Sequence, residues 1–135
     1  MAFINWSPAL SVGIPTIDAQ HQKLVALVNT LYEAMSAGKG NDVIGHVIQE
    51  LTEYTRTHFS YEEGLFAMHG YPNAEAHIAE HKALLADVAE LHARFKRGEK
   101  ISAVSVGTFL KNWLAKHIQG ADRDYQPLFV SKGVR

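Results

Sequence analysis

Two pairs of metal-donor side chains, His58 with Glu62 and His77 with His81, sit four residues apart, and both members of each pair fall on the apolar stripe of a helical pattern. Four residues is about one α-helical turn, so each pair projects from a single face. Around the first pair the stripe reads Ile44, Val47/Ile48, Leu51, Tyr54/Thr55 and Leu65. Beyond the second it reads Leu84/Leu85, Val88, Leu91 and Phe95. A fold for this chain must bury these stripes and still satisfy the polar groups on them. Burying an unpaired charge costs several kcal/mol.

The same mixture recurs in two more segments. Residues 18–37 read as a helix opened by Asp18 as N-cap, with His21 on the stripe of Leu24, Leu27/Val28, Leu31 and Met35. Residues 102–119 read as another, opened by Ser102, with Val106, Phe109/Leu110, Trp113 and His117 on its stripe. The two central helices are expected over 42–68, after an Asn41 cap, and over 74–97, after Asn73. Pro8, Gly13 and Pro15 make residues 1–17 an irregular arm, anchored by Phe3, Ile4, Trp6, Leu10, Val12 and Ile14. Gly120 and Pro127 leave 120–135 as a short tail with one helical turn at most. Four helices on short connections imply an all-α, up-down-up-down antiparallel four-helix bundle, a single domain over 1–135.

In such a bundle the start of the first helix, the end of the second, the start of the third and the end of the fourth share one end. His21, His58, Glu62, His77, His81, His117 and Asp122 therefore converge in one layer. A lone core histidine is ordinarily a hydrogen-bonded structural residue, but five converging with two carboxylates form a ligand set. The chain has no cysteine, so thiolate sites, disulfides and cysteine nucleophiles are excluded and the donors are nitrogen and oxygen alone. Seven ligands exceed one tetrahedral zinc site. Two metals bridged by both carboxylates and one solvent oxygen use them all. With three imidazoles on one metal and two on the other, one position stays open, which suits a single small ligand. Iron fits this donor set and reversible redox change. His117 and Asp122 are five apart, about 140° round an ideal helix, and share a site only if the backbone widens near Gly120, as a π-bulge would.

These residues resemble the hemerythrin family. The matching pieces are Ile17-Asp-Ala-Gln-His21, His58-x-x-x-Glu62, His77-x-x-x-His81 and His117-x-x-x-x-Asp122. Trp113-Leu114, Tyr125 and the Trp6…Val12-Gly13 arm also match, and the linkers look like the single-domain bacteriohemerythrin form. The resemblance spans residues 3 to 129. It implies a non-haem di-iron oxygen carrier: His77, His81 and His117 on the saturated iron, His21 and His58 on the iron with the open site. Glu62, Asp122 and an oxo or hydroxo group would bridge. Leu114, Trp113 and Tyr125 match residues lining an oxygen pocket. Dioxygen is then the ligand, with an oxygen-consuming enzyme as the partner for delivery. Oxygen or redox sensing, iron storage, and di-iron oxidase or peroxidase chemistry are the alternatives for the same site.

His77-Ile-Ala-Glu80-His81 also spells the H-x-x-E-H peptidase signature, but that reading leaves the other donors unexplained. His46, His69 and His92 read as structural or surface residues. Glu63 and Glu80 lie about 100° off the ligand face and read as solvated, with a role beside the ligand imidazoles as the lesser reading. A formal net charge of −1 gives no nucleic-acid footprint. No membrane span or signal peptide is legible, so a cytoplasmic monomer without catalytic residues is expected.

Overall fold

The computed structural model describes residues 4–135. Phe3, one expected anchor of the arm, lies outside them, as does the side chain of Asn41, the expected cap. A 3-10 turn at Pro8–Leu10 precedes four long helices: α1 (Pro15–Ser36), α2 (Asn41–His69), α3 (Ala74–Lys96) and α4 (Ala103–His117). A π-helical turn, Ile118–Asp122, joins α4 without a break to α5 (Arg123–Ser131). No strand occurs among the described residues. α1 packs against α2 and α4, and α2 against α3, with tight turns at 37–40 and 70–73. The result is the expected up-and-down four-helix bundle. Its apolar interior is built from stripe residues such as Leu24 and Val28, Ile48 and Leu51, Leu84 and Val88, and Leu110 and Leu114.

Several boundaries differ from expectation. α1 begins at Pro15, because proline is suited to the first helical position, where its missing N–H is not needed. Asp18 is therefore not the N-cap. It lies in the first turn, where its carboxylate accepts from Ser11 Oγ at 2.6 Å and from the Val12 N–H at 2.8 Å. These bonds fasten the arm to the helix it precedes. Asn29 holds the arm further up, accepting from the Ile4 N–H at 2.7 Å and donating to its carbonyl at 2.8 Å. α2 starts at Asn41, with Gly40 in the N-cap position. Asn73 holds the N-cap position of α3 without a side-chain cap bond, whereas Ser102 Oγ caps α4 by accepting from the Ser105 N–H at 3.2 Å.

The largest difference lies after His117. Gly120 does not stop the helix, and Pro127 sits inside α5 instead of ending it. The segment read as a tail is a helix whose Tyr125 and Phe129 are fully buried. Together with Phe66 and Tyr71 they form an aromatic layer, with ring centroids 4.6 to 6.3 Å apart, that closes this end of the bundle.

Candidate metal centre

The closed end holds all seven expected donors, and each is nearly inaccessible: His21 1%, His58 1%, Glu62 0%, His77 2%, His81 1%, His117 4% and Asp122 0% exposed. α1 contributes one of them, α2 and α3 two each, and α4 with its π turn the last two. In that turn hydrogen bonds close over five residues, so His117 and Asp122 fall on one face in spite of their spacing. Gly120 is not what the widening needs sterically. Its φ is not positive, and a Cβ there would meet nothing within 4 Å.

His77 Nε2 lies 2.9 Å from Asp122 Oδ1, His117 Nε2 is 3.1 Å from that same oxygen, and His21 Nε2 is 3.1 Å from Oδ2. His58 Nε2 and His81 Nε2 are each 3.3 Å from Glu62 Oε1. None of these approaches satisfies its atoms as a hydrogen bond. Nε2 of His21, His77, His81 and His117, Glu62 Oε1 and both Asp122 oxygens remain without partners. One such buried atom costs about 1–3 kcal/mol, so a cluster of them has a purpose other than stability. A cation among them would satisfy every one. The donors form two overlapping sets, each with its ligand atoms within 4.8 Å of one another. One contains Glu62, His77, His81, His117 and Asp122; the other contains His21, His58, Glu62 and Asp122. Both carboxylates belong to both sets. The hard and intermediate donors present suit a pair of divalent or trivalent transition-metal ions.

Three imidazoles are held from behind. His58 Nδ1 lies 2.5 Å from Gln20 Oε1, His81 Nδ1 2.9 Å from Glu63 Oε2, and His117 Nδ1 3.1 Å from Glu80 Oε1. Each of these oxygens accepts, so each Nδ1 carries a proton and Nε2 is the nitrogen turned inward, free to bind once unprotonated. Glu63 and Glu80 are therefore not simply solvated residues; they are partners of ligand imidazoles. Gln20 was quoted in the motif without a role. The signal was adjacency: Gln20 precedes His21, Glu63 follows Glu62 and Glu80 precedes His81. Each reaches a donor imidazole on the next helix, from α1 to α2, α2 to α3 and α3 to α4.

Aromatic rings brace the same imidazoles. Phe59 stacks on His81 with centroids 3.6 Å apart and planes 3° apart, and Trp113 stacks on His117 at 4.3 Å and 15°. Phe59 was not singled out in the sequence, since its position beside His58 places it off the stripe. Tyr125 lies against His77 at 5.7 Å and donates to Glu62 Oε2 at 2.5 Å. Burial, reinforced by the Glu62 carboxylate, pushes the Tyr125 phenol well above its ordinary range, so it stays a donor.

In the metal-free centre the charges divide unevenly. Burial pushes His58 down to about 4, leaving it neutral. Burial also acts to lower His117, but Asp122, with Glu80 and Glu62, overcomes it and raises this imidazole to about 9. Asp122 is buried too, yet the imidazoles of His117, His21 and His77 hold its carboxyl well below the ordinary range.

Next to the centre lies an apolar cavity of about 20 Å³, walled by residues including Leu24, Phe59, Leu84, Leu110, Trp113 and Leu114. The one hydroxyl on its wall, Thr55, is already donating to the Leu51 carbonyl at 2.6 Å. Such a space accommodates one small molecule, and its walls are almost entirely apolar. Of the three residues expected to line an oxygen pocket, Leu114 and Trp113 are on this wall. Tyr125 is not; it stands at the carboxylate, within the aromatic layer. Of the remaining histidines, His46 pairs with Glu50 at 3.0 Å on the surface, and His69 lies against Phe129. Glu80, the base of the peptidase reading, is half exposed and committed to His117.

Residues 12–129 match the family model of the hemerythrin HHE cation binding domain. A bacteriohemerythrin of Stenotrophomonas maltophilia is 38% identical over 125 residues, covering 93% of this chain and 80% of its own. One of Methylococcus capsulatus is 31% identical over 128 residues, covering 94% and 97%. A crystal structure of wild-type hemerythrin superposes with a TM-score of 0.85 at 31% identity, over 94% of this chain and 98% of that one. A tyrosine-for-leucine mutant of hemerythrin superposes with a TM-score of 0.88 at 30% identity, over 95% and 98%.

Proposed function

The chain belongs to the hemerythrin family, and from that premise we propose that it binds dioxygen reversibly at a non-haem di-iron centre, for oxygen storage, transport or delivery to an oxygen-consuming enzyme. In this reading His77, His81 and His117 would hold one iron and His21 and His58 the other, and Glu62 and Asp122, which belong to both donor sets, would serve both. The observation that carries it is that two sets of buried, otherwise unpartnered donors share both carboxylates. The set with His21 and His58 has one imidazole fewer, so a small ligand would find room on that side. When bound, the iron pair supplies the electrons and the vacant position that dioxygen needs.

The protein's own residues do the rest. Gln20, Glu63 and Glu80 fix which nitrogen of each partner imidazole faces inward. Tyr125 holds Glu62 by its outer oxygen, leaving Oε1 for the centre. Leu114 and Trp113 keep an apolar wall beside the site, which excludes water and the protons it carries. The proposal assigns no catalytic residue. It takes the protein as a cytoplasmic monomer. No helix among the described residues is long and apolar enough to cross a membrane.

The test is metal analysis with visible spectra of the reduced protein before air, after air and after oxygen removal. Two irons per chain, with colour that appears and then disappears, are expected. Two irons that oxidise at once and stay oxidised would replace the carrier with an oxidase or redox sensor. A single zinc would end the di-iron reading.

A further inference from the structure

The donors are sealed inside the bundle, yet a metal ion arrives wrapped in water and needs a polar way to them. Among the cavities described, one touches the donor set: a space of about 120 Å³ between the 70–73 turn, α3 and the π turn. Its walls include Tyr71, His77, Glu80, Ala121 and Asp124, and neither lysine nor arginine. The cationic neighbour Arg123 is turned away, donating to the Ala9 carbonyl at 2.5 Å. Glu80 gives His117 one carboxylate oxygen and has a second to offer. The mouth thus has two carboxylates facing one small space.

His77 separates this mouth from the centre. It is 2% exposed, its Nε2 is turned to Asp122, and its Nδ1 has no partner, unlike the Nδ1 atoms of His58, His81 and His117. We propose that the mouth is a transient divalent-cation site through which the centre is loaded: Glu80 and Asp124 gather the hydrated ion, and His77 offers it the first nitrogen. One imidazole then reaches both sides, so passage requires a ring to turn and not the helices to part. The apolar cavity walled by Leu114 and Trp113 has no carboxylate on its walls and suits an uncharged molecule, not an ion. The inference rests on the metal reading above, and it concerns the route to that centre and not its ligands.

The experiment is stopped-flow uptake of Co²⁺ by metal-free protein, with release into excess chelator measured separately. Asp124 is exposed and outside the donor set, so Asp124→Asn and Asp124→Lys preserve the fold, checked by helical circular dichroism. A group on the route changes uptake and release together, whereas a ligand changes the equilibrium. Asp124→Asn is expected to slow both by roughly three- to tenfold, and Asp124→Lys by more, at low salt. The parent's stoichiometry of two metals is retained, and Kd stays within about twofold. Glu53→Gln, on α2 away from this mouth, serves as the control and leaves the rates unchanged. Unaltered rates in both Asp124 variants, or equal slowing in the control, overturn the route while leaving the centre intact. A parent chain that takes up no metal overturns both.

Discussion

At the scale of single residues, the centre depends on side chains that never face the metals. Glu63→Ala and Glu80→Ala each free an imidazole to turn and to change which nitrogen is protonated. Each is expected to weaken metal binding about 10–100-fold, read by chelator competition. Leu114→Ala opens the apolar wall to water, so the oxygenated protein should oxidise faster than the parent at a temperature well below unfolding. The histidines also set a pH dependence. His117 is raised to about 9 in the metal-free protein, so at neutral pH a metal must displace its proton. Apparent affinity should therefore climb with pH up to about 9 and then level. Calorimetry in two buffers should find the His117 proton released near neutrality, and that contribution should disappear as pH passes about 9. His58, already neutral there, contributes no proton. For the fold the sign reverses. The raised His117 stabilises metal-free protein fully below its ordinary 6.5, and that contribution is lost as pH rises through about 9.

At the scale of elements, the π turn decides whether the last ligand is present. Inserting an alanine after Gly120 would place Asp122 six residues from His117 and carry it about 100° further round the helix. The variant should remain helical by circular dichroism and lose its metals. Gly120→Ala should keep both metals and gain about 0.5–1 kcal/mol of stability, measured by denaturant unfolding, because the position is helical and open. That pair of outcomes separates the geometry of the turn from the identity of its glycine. It also marks what could be read in the sequence. His58 and Glu62, and His77 and His81, announced themselves because helical spacing coincided with an apolar stripe. The widening between His117 and Asp122 was forced by the spacing, but its continuation through Pro127 into α5 was not, since glycine and proline both signal a stop. Pro15 misled in the same way at the start of α1. Glu63 and Glu80 were legible only as a lesser reading and Gln20 not at all, because they lie off their own helix's stripe and their partners stand on the next helix.

At the scale of the whole molecule, a cluster of unpartnered donors makes the metal-free bundle carry a cost that metal removes. Loading should raise the melting temperature by roughly 10 °C at metal concentrations about a hundredfold above Kd, and a chelator should reverse it. The bundle class and the end at which the donors meet followed from the order of helices alone. The aromatic floor under α5 and the Asn29 clasp on the arm did not, because each joins a helix to a segment that reads as irregular. His21 lies near the start of the chain and Asp122 near its end, and each set of donors that includes Asp122 requires the last helix to be in place. During synthesis, then, a ribosome-bound chain can present His58 with Glu62 and His77 with His81 long before Asp122 emerges. The unfinished chain offers stray ions only partial, solvent-open sites, and the full affinity appears once the π turn has left the ribosome and docked. Metal choice is thereby postponed until the pocket that discriminates among ions is complete.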